Sequence, residues 1–219
     1  MPKNVDKPSK LAQQHLSQAI YKLKQGADLT EVLPTLELVL THLENMARHD
    51  PLTGALNRRT LTEMLNAELA RSYRTGHTFS VVMLSIDRFQ DTMDTYGRPV
   101  AVAVLRQVTE VAQNMLRTLD SFGRVTGDEF AIVMPTTWVD QSMKAITRLR
   151  NQLDEVEWAT LAPGLQFSFC TGITHNAPGD TADAMLSRAR TALAQARQKG
   201  PGSVVQVEPD IPEYDPTKQ

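Results

Sequence analysis

Two short stretches carry the groups that could do chemistry. Arg117-Thr118-Leu119-Asp120 sets a guanidinium and a carboxylate three residues apart; after five intervening residues, Thr126-Gly127-Asp128-Glu129-Phe130 sets two adjacent carboxylates beside a glycine. A guanidinium can fork onto the O6 and N7 acceptors of guanine, and a carboxylate can accept from its N1 and N2 donors. Arg117 and Asp120 can therefore grip a guanine base without metal or bond breaking. The same spacing also serves an ordinary ion pair at a helix end, and Arg88-Phe89-Gln90-Asp91 repeats it in this chain. Asp128 and Glu129, with Asp87 at the end of an apolar run, are the oxygen donors Mg²⁺ prefers, and a metal there would neutralise charge in phosphoryl transfer. Gly-Asp between two apolar runs is equally common as plain hairpin chemistry.

Alternating helices and strands must position these groups. The near-continuous apolar run Val81-Val82-Met83-Leu84 predicts a buried strand over 79–86, ending beside Asp87. Helical spacing follows over 99–119 and would place Arg117 and Asp120 on one face at a helix end. Strands over 122–125 and 130–134 are expected to form a hairpin around Thr126-Gly127-Asp128-Glu129 at the centre of the sheet. Helices flank it over 57–73, through Ile146, Leu149 and Leu153, and over 181–198, with further strands at 165–174 and 203–207. The whole predicts an α/β sandwich with a central mixed sheet flanked by helices. Upstream, residues 1–46 predict a helical hairpin, with residues 1–8 loose, an Asp28–Glu31 capping box and Pro34 in the first turn or at a kink. Its apolar faces suit dimerisation as well as packing on the main domain. Residues 47–207 form that domain, and the Pro-rich stretch 208–219 is expected to be a disordered tail.

Composition bounds the function. The net charge is -2 over 219 residues, so no global field points to nucleic acid or anionic lipid. Cys170 is the single cysteine, which excludes an internal disulfide and fits a reducing, cytoplasmic setting. No apolar run approaches the length a membrane helix needs. The five histidines have no metal-ligand spacing, and Trp138 and Trp158 are expected to pack.

Four stretches in order resemble the GGDEF domain family of diguanylate cyclases. Asp50-Pro51-Leu52-Thr53-Gly54-Ala55-Leu56-Asn57-Arg58-Arg59 is similar to the family's opening turn. Ser85-Ile86-Asp87-Arg88-Phe89 with Asp94-Thr95-Tyr96-Gly97 is similar to its first strand and the helix after it. The hairpin and the terminal helix over 189–200 fall in register. The resemblance implies a nucleotidyl-cyclase fold, related to polymerase palm domains, over about residues 47–207. It also implies that Arg117 and Asp120 are the Arg-x-x-Asp inhibitory site that binds cyclic di-GMP, with Arg148 completing the site from a neighbouring domain.

Against that family, six positions of the implied catalytic pocket carry the wrong chemistry. The metal-binding Asp falls on Ser85, the Lys after the strand on Gln90, and the two guanine-reading residues on Met93 and Val102. The first glycine of the hairpin falls on Thr126, and an Arg after the last helix on Pro201. A phosphate-binding Lys becomes Arg197, which keeps its charge. Two unpaired guanine contacts at about 1–3 kcal/mol each would weaken recognition roughly 30-fold to 10⁴-fold. These departures imply a degenerate, non-catalytic GGDEF domain that serves as a cyclic di-GMP receptor. Residual carboxylates remain at Glu129, as the catalytic group, and at Asp128 and Asp87, as metal ligands, with Mg²⁺ required only if catalysis survives. Two other readings stay open: a working cyclase that joins two GTP by 3′-hydroxyl attack on the α-phosphate, and a ligand-free interaction scaffold. A homodimer and a further protein partner are expected, with no nucleic acid and no membrane insertion.

Overall fold

The apolar run over 81–84 folds as β1 (Ser80–Ile86), and every residue of it is buried. The reason is its place in the sheet. In a computed structural model describing residues 7–209, five strands lie in the order β2 (Ser121–Thr126), β3 (Glu129–Met134), β1, β4 (Phe169–His175) and β5 (Val204–Gln206), and β1 is the middle one. β2 and β3 form the expected hairpin, but that hairpin is one flank of the sheet rather than its centre. β1 runs antiparallel to β3 and to β4, whereas β5 pairs parallel with β4, so the sheet is mixed. The β1–β3 register sets Ser85 opposite Glu129, which brings the end of the first strand to the carboxylates of the hairpin.

Both faces of the sheet are covered, which is why alternation is lost along β1. Val82, Leu84 and Ile86 join Phe130 and Ile132 under α4 (Phe89–Met115) and α5 (Val139–Asp154). Val81 and Met83 face the other way with Cys170, under α3 (Arg58–Thr75) and α6 (Ala182–Lys199). α4 is two helical pieces joined at Gly97, whose φ of 82° no ordinary side chain favours; Pro99 then starts the long second piece, as its fixed φ and missing N–H allow. Helical structure ends at Met115, short of the expected 119, so Arg117 and Asp120 lie in a turn and not on a helix face.

The N-terminal segment is the helical hairpin α1 (Lys7–Lys24) and α2 (Leu29–Arg48), closed on Ala12, Ala19, Val32 and Val39. Lys7 and Pro8 are already helical, in contrast to the expected loose start; the expected tail lies outside the described residues from 210 onward. Asp28 precedes α2 without any side-chain cap, so the Asp28–Glu31 capping box does not form. Pro34 is the sixth residue of α2, past the first turn, and the helix continues through it. The end of α2 is tied to the main domain: Asn57 Nδ2 and Arg59 Nη2 donate to the Ala47 carbonyl at 2.8 and 3.0 Å. Trp158 is buried and donates its indole N–H to the Leu153 carbonyl, but Trp138 is 61% exposed and does not pack as expected. Among the described residues no helix is long and apolar enough to cross a membrane.

Candidate functional site

The hairpin tip is held from behind by one arginine. Arg124 donates through Nε and Nη2 to the Gly127 carbonyl at 2.9 and 2.6 Å, and through Nη1 to Asp50 Oδ1 at 3.1 Å. Asp50 in turn accepts from the Thr53 N–H and hydroxyl at 2.9 and 2.8 Å, so the opening turn over 50–54 and the hairpin turn form one unit. Gly127 has φ 46°, and a Cβ added there would meet nothing within 4 Å; glycine is needed for the backbone conformation, not for space. Phe130 anchors the turn from below, fully buried and stacked on Phe122 with centroids 5.1 Å apart. Thr126 stands exposed at the end of β2.

In front of this scaffold the carboxylates of Asp128 and Glu129 meet cations of the chain itself. Ser85 donates its hydroxyl to Asp128 Oδ2 and accepts from Arg197 Nη2 at 2.6 Å. The same Nη2 donates to Glu129 Oε1 at 3.1 Å and lies 3.8 Å from Asp128 Oδ2, while Arg190 Nε lies 3.7 Å from Glu129 Oε2. Arg190 carries no part in the sequence reading. Its signal was there, since Arg190 and Arg197 are two helical turns apart and share a face of α6.

Asp87 does other work. Its Oδ2 accepts from Ser168 Oγ at 2.7 Å and from the Gly202 N–H at 2.8 Å, at the entries to β4 and β5. Asp87 and Asp128, expected as metal ligands together, thus have different partners. Among the described residues no three His, Cys, Asp or Glu side chains gather as a metal site. A divalent ion wants several anionic or neutral oxygens with open lone pairs, but here the two hairpin carboxylates face two guanidiniums and the third donor is a hydroxyl already bonded on both sides. This donor set does not fit Mg²⁺ as arranged. Gln90 donates to Asp94 at 2.9 Å, and Met93 and Val102 are half-buried apolar groups.

The turn at 117–120 is built differently. Asp120 Oδ2 accepts from the Arg117 N–H at 3.0 Å, and the Asp120 N–H donates to the Arg117 carbonyl at 2.9 Å. The carboxylate therefore holds the turn through the backbone, and among the described residues no ion pair joins the two side chains. Arg117 is exposed. Gln113, Arg117, Asp120 and Phe122 line a cleft of about 370 Å³. Burial raises the Asp120 pKa above its ordinary 3.8, and the Arg117 N–H, the Arg117 charge and the Arg148 charge from α5 oppose that rise. Arg148, expected from a neighbouring domain, is thus also near this turn within one chain, and its side chain is exposed.

The chain is similar to several known proteins. A family model described as "Diguanylate cyclase, GGDEF domain" matches residues 47–203. The chain is 31% identical over 163 residues to the diguanylate cyclase DgcP of Pseudomonas aeruginosa; the match takes in 73% of this chain and only 24% of that relative's length. Its fold is similar to the coiled coil and GGDEF domain of DgcB from Caulobacter crescentus, solved with cyclic di-GMP. That match has a TM-score of 0.76 at 23% identity and covers 85% of this chain and all of that one. The diguanylate cyclase SiaD of Pseudomonas aeruginosa, solved with its activator SiaC, matches at TM-score 0.69 and 27% identity over 93% of this chain and 78% of that one.

Proposed function

The chain belongs to the GGDEF domain family, and we propose that it acts as a receptor for cyclic di-GMP and not as a source of it. One observation carries the reading: Asp120 is held by the backbone N–H of Arg117, and among the described residues the Arg117 guanidinium, which lines a cleft, has no hydrogen-bond or ion-pair partner. A fork of that kind suits the O6/N7 edge of guanine, and the second oxygen of Asp120 suits N1 and N2. Arg148 adds charge for a phosphate or a second base. Bivalent ligand held between two copies would couple ligand binding to the arrangement of the N-terminal hairpins. A homodimer and a protein partner, of the kind SiaD has in SiaC, belong to the same proposal.

Calorimetry with cyclic di-GMP tests it. Wild-type protein binds, and Arg117→Ala weakens binding about 5-fold to 150-fold, the worth of one bidentate base contact of about 1–3 kcal/mol. Absence of binding, or binding indifferent to the substitution, refutes the proposal. The relatives' names favour a second reading, a working cyclase. It requires folded protein to turn GTP and Mg²⁺ into cyclic di-GMP, with loss in Glu129→Ala; the receptor reading expects no product from the wild type.

A further inference from the structure

We infer that Arg197 is a built-in cation that takes the place of a divalent ion, turning the old metal corner into a metal-independent clasp. One nitrogen, Nη2, reaches three oxygens, on β1, on β3 and in the hairpin turn: Ser85 Oγ at 2.6 Å, Glu129 Oε1 at 3.1 Å and Asp128 Oδ2 at 3.8 Å. A single positive centre that gathers oxygens from the end of β1 and from the hairpin does what a metal ion does for such a corner. Charge supports the assignment. Asp128 and Glu129 carry two negative charges, and Arg197 with Arg190 supplies two positive ones, so the corner is neutral without any ion. A divalent cation entering it would meet two guanidiniums, at a cost that only displacement of Arg197 could relieve.

Ser85 completes the logic. A third carboxylate at this position would leave the corner one negative charge in excess. A hydroxyl adds none and can both donate to Asp128 and accept from Arg197, which the geometry has it do. Ser85 is 2% exposed, so its only oxygen is fully used inside the clasp. The clasp fastens the C-terminal turn of α6 to the sheet at the place where the hairpin would otherwise hold two unpaired carboxylates. The inference stands on these ion pairs alone and is independent of cyclic di-GMP binding.

Manganese, a paramagnetic stand-in for Mg²⁺, reads it directly. Wild-type protein should leave Mn²⁺ free by electron paramagnetic resonance, and its Tm should be the same with millimolar Mn²⁺ as with chelator. Arg197→Met, which keeps volume and removes charge, should lower the metal-free Tm, with Arg197→Lys in between. Arg197→Met combined with Ser85→Asp should bind Mn²⁺ and regain Tm with it, by roughly 2 °C or more once the ion is well above its Kd. Bound Mn²⁺ on the wild type that disappears in Asp128→Asn overturns the inference. So does an unchanged Tm in Arg197→Met, or a folded double variant that ignores Mn²⁺. Should the double variant not fold, the wild-type titration and the single variants still decide. Cyclic di-GMP calorimetry on the same samples keeps the two readings apart, since breaking the clasp should leave that affinity unchanged.

Discussion

At Asp120 burial and charge pull in opposite directions, and burial wins: its carboxyl holds its proton more tightly in the folded chain than in the unfolded one. The sign follows. A raised folded pKa contributes stability that is fully present below the unfolded value of 3.8 and is lost as pH rises through the folded value. Ligand binding has the opposite sense, because only the ionised carboxylate accepts from guanine N1 and N2 without a competing proton. Affinity for cyclic di-GMP should therefore fall as pH drops, and the fall should begin at a higher pH than an ordinary aspartate would give. Calorimetry over an acid series checks this, with Asp120→Asn expected to bind weakly and with little pH dependence. At this scale Arg117 and Asp120 were legible in the sequence, since three residues of covalent chain fix their proximity. Their mutual role was not: the sequence suggests side chain against side chain, but the carboxylate spends one oxygen on the Arg117 backbone N–H.

The scale of elements explains why α6 sits where it does. Gly172 of β4 lies directly beneath it, and a Cβ there would come within 2.2 Å of the Leu193 N and 2.3 Å of the Ala189 O, both backbone atoms that cannot step aside. Small residues Ala189, Ala192 and Ala196, all fully buried, make the helix side of the same close approach. Gly172→Ala should therefore cost about 1–3 kcal/mol or more, as overpacking does, seen as a lower urea midpoint with an unchanged slope. The lift of α6 should also strain Arg197, so ion pairing at the hairpin would weaken in the same variant. Apolar content indicated the strand and the helix, although the strand begins at Phe169 and not at 165, and it is buried on both faces. The flank position of the hairpin was not indicated, because strand order depends on partners distant in the chain. The apolar run of β1 identifies it as covered on both faces without saying which strand lies next to it.

On the scale of the molecule, the N-terminal hairpin is the part whose apolar surface is least covered. Leu16, Ile20 and Tyr21 of α1 and Leu29, Leu40 and Leu43 of α2 are between 42% and 64% exposed, whereas the main domain buries its large apolar side chains with few exceptions. Apolar surface on that scale, gathered on one two-helix unit, favours association. The proposed homodimer would then run through this unit: light scattering at micromolar concentration should find the wild type dimeric and the Ile20→Glu, Leu40→Glu variant monomeric. The main domain should stay folded by circular dichroism, since neither side chain enters the sheet's core. Retention of the dimer would place the interface elsewhere.

Motifs and spacing along the chain were enough for the family, the alternation of helices and strands over residues 47–203, and the register of Arg117 and Asp120 against the hairpin. All of these are local or sequential properties: spacing along the chain, periodicity of burial, turn chemistry. The partners of the hairpin carboxylates emerge on folding alone. Arg197 reaches Glu129 across 68 residues and Ser85 across 112; the family resemblance set them in one pocket, but no pattern in either segment records that they bond to each other. Ser85 in the sequence suggested a corner that had lost one metal ligand; folding put the end of α6 against it and supplied a positive charge from within the chain.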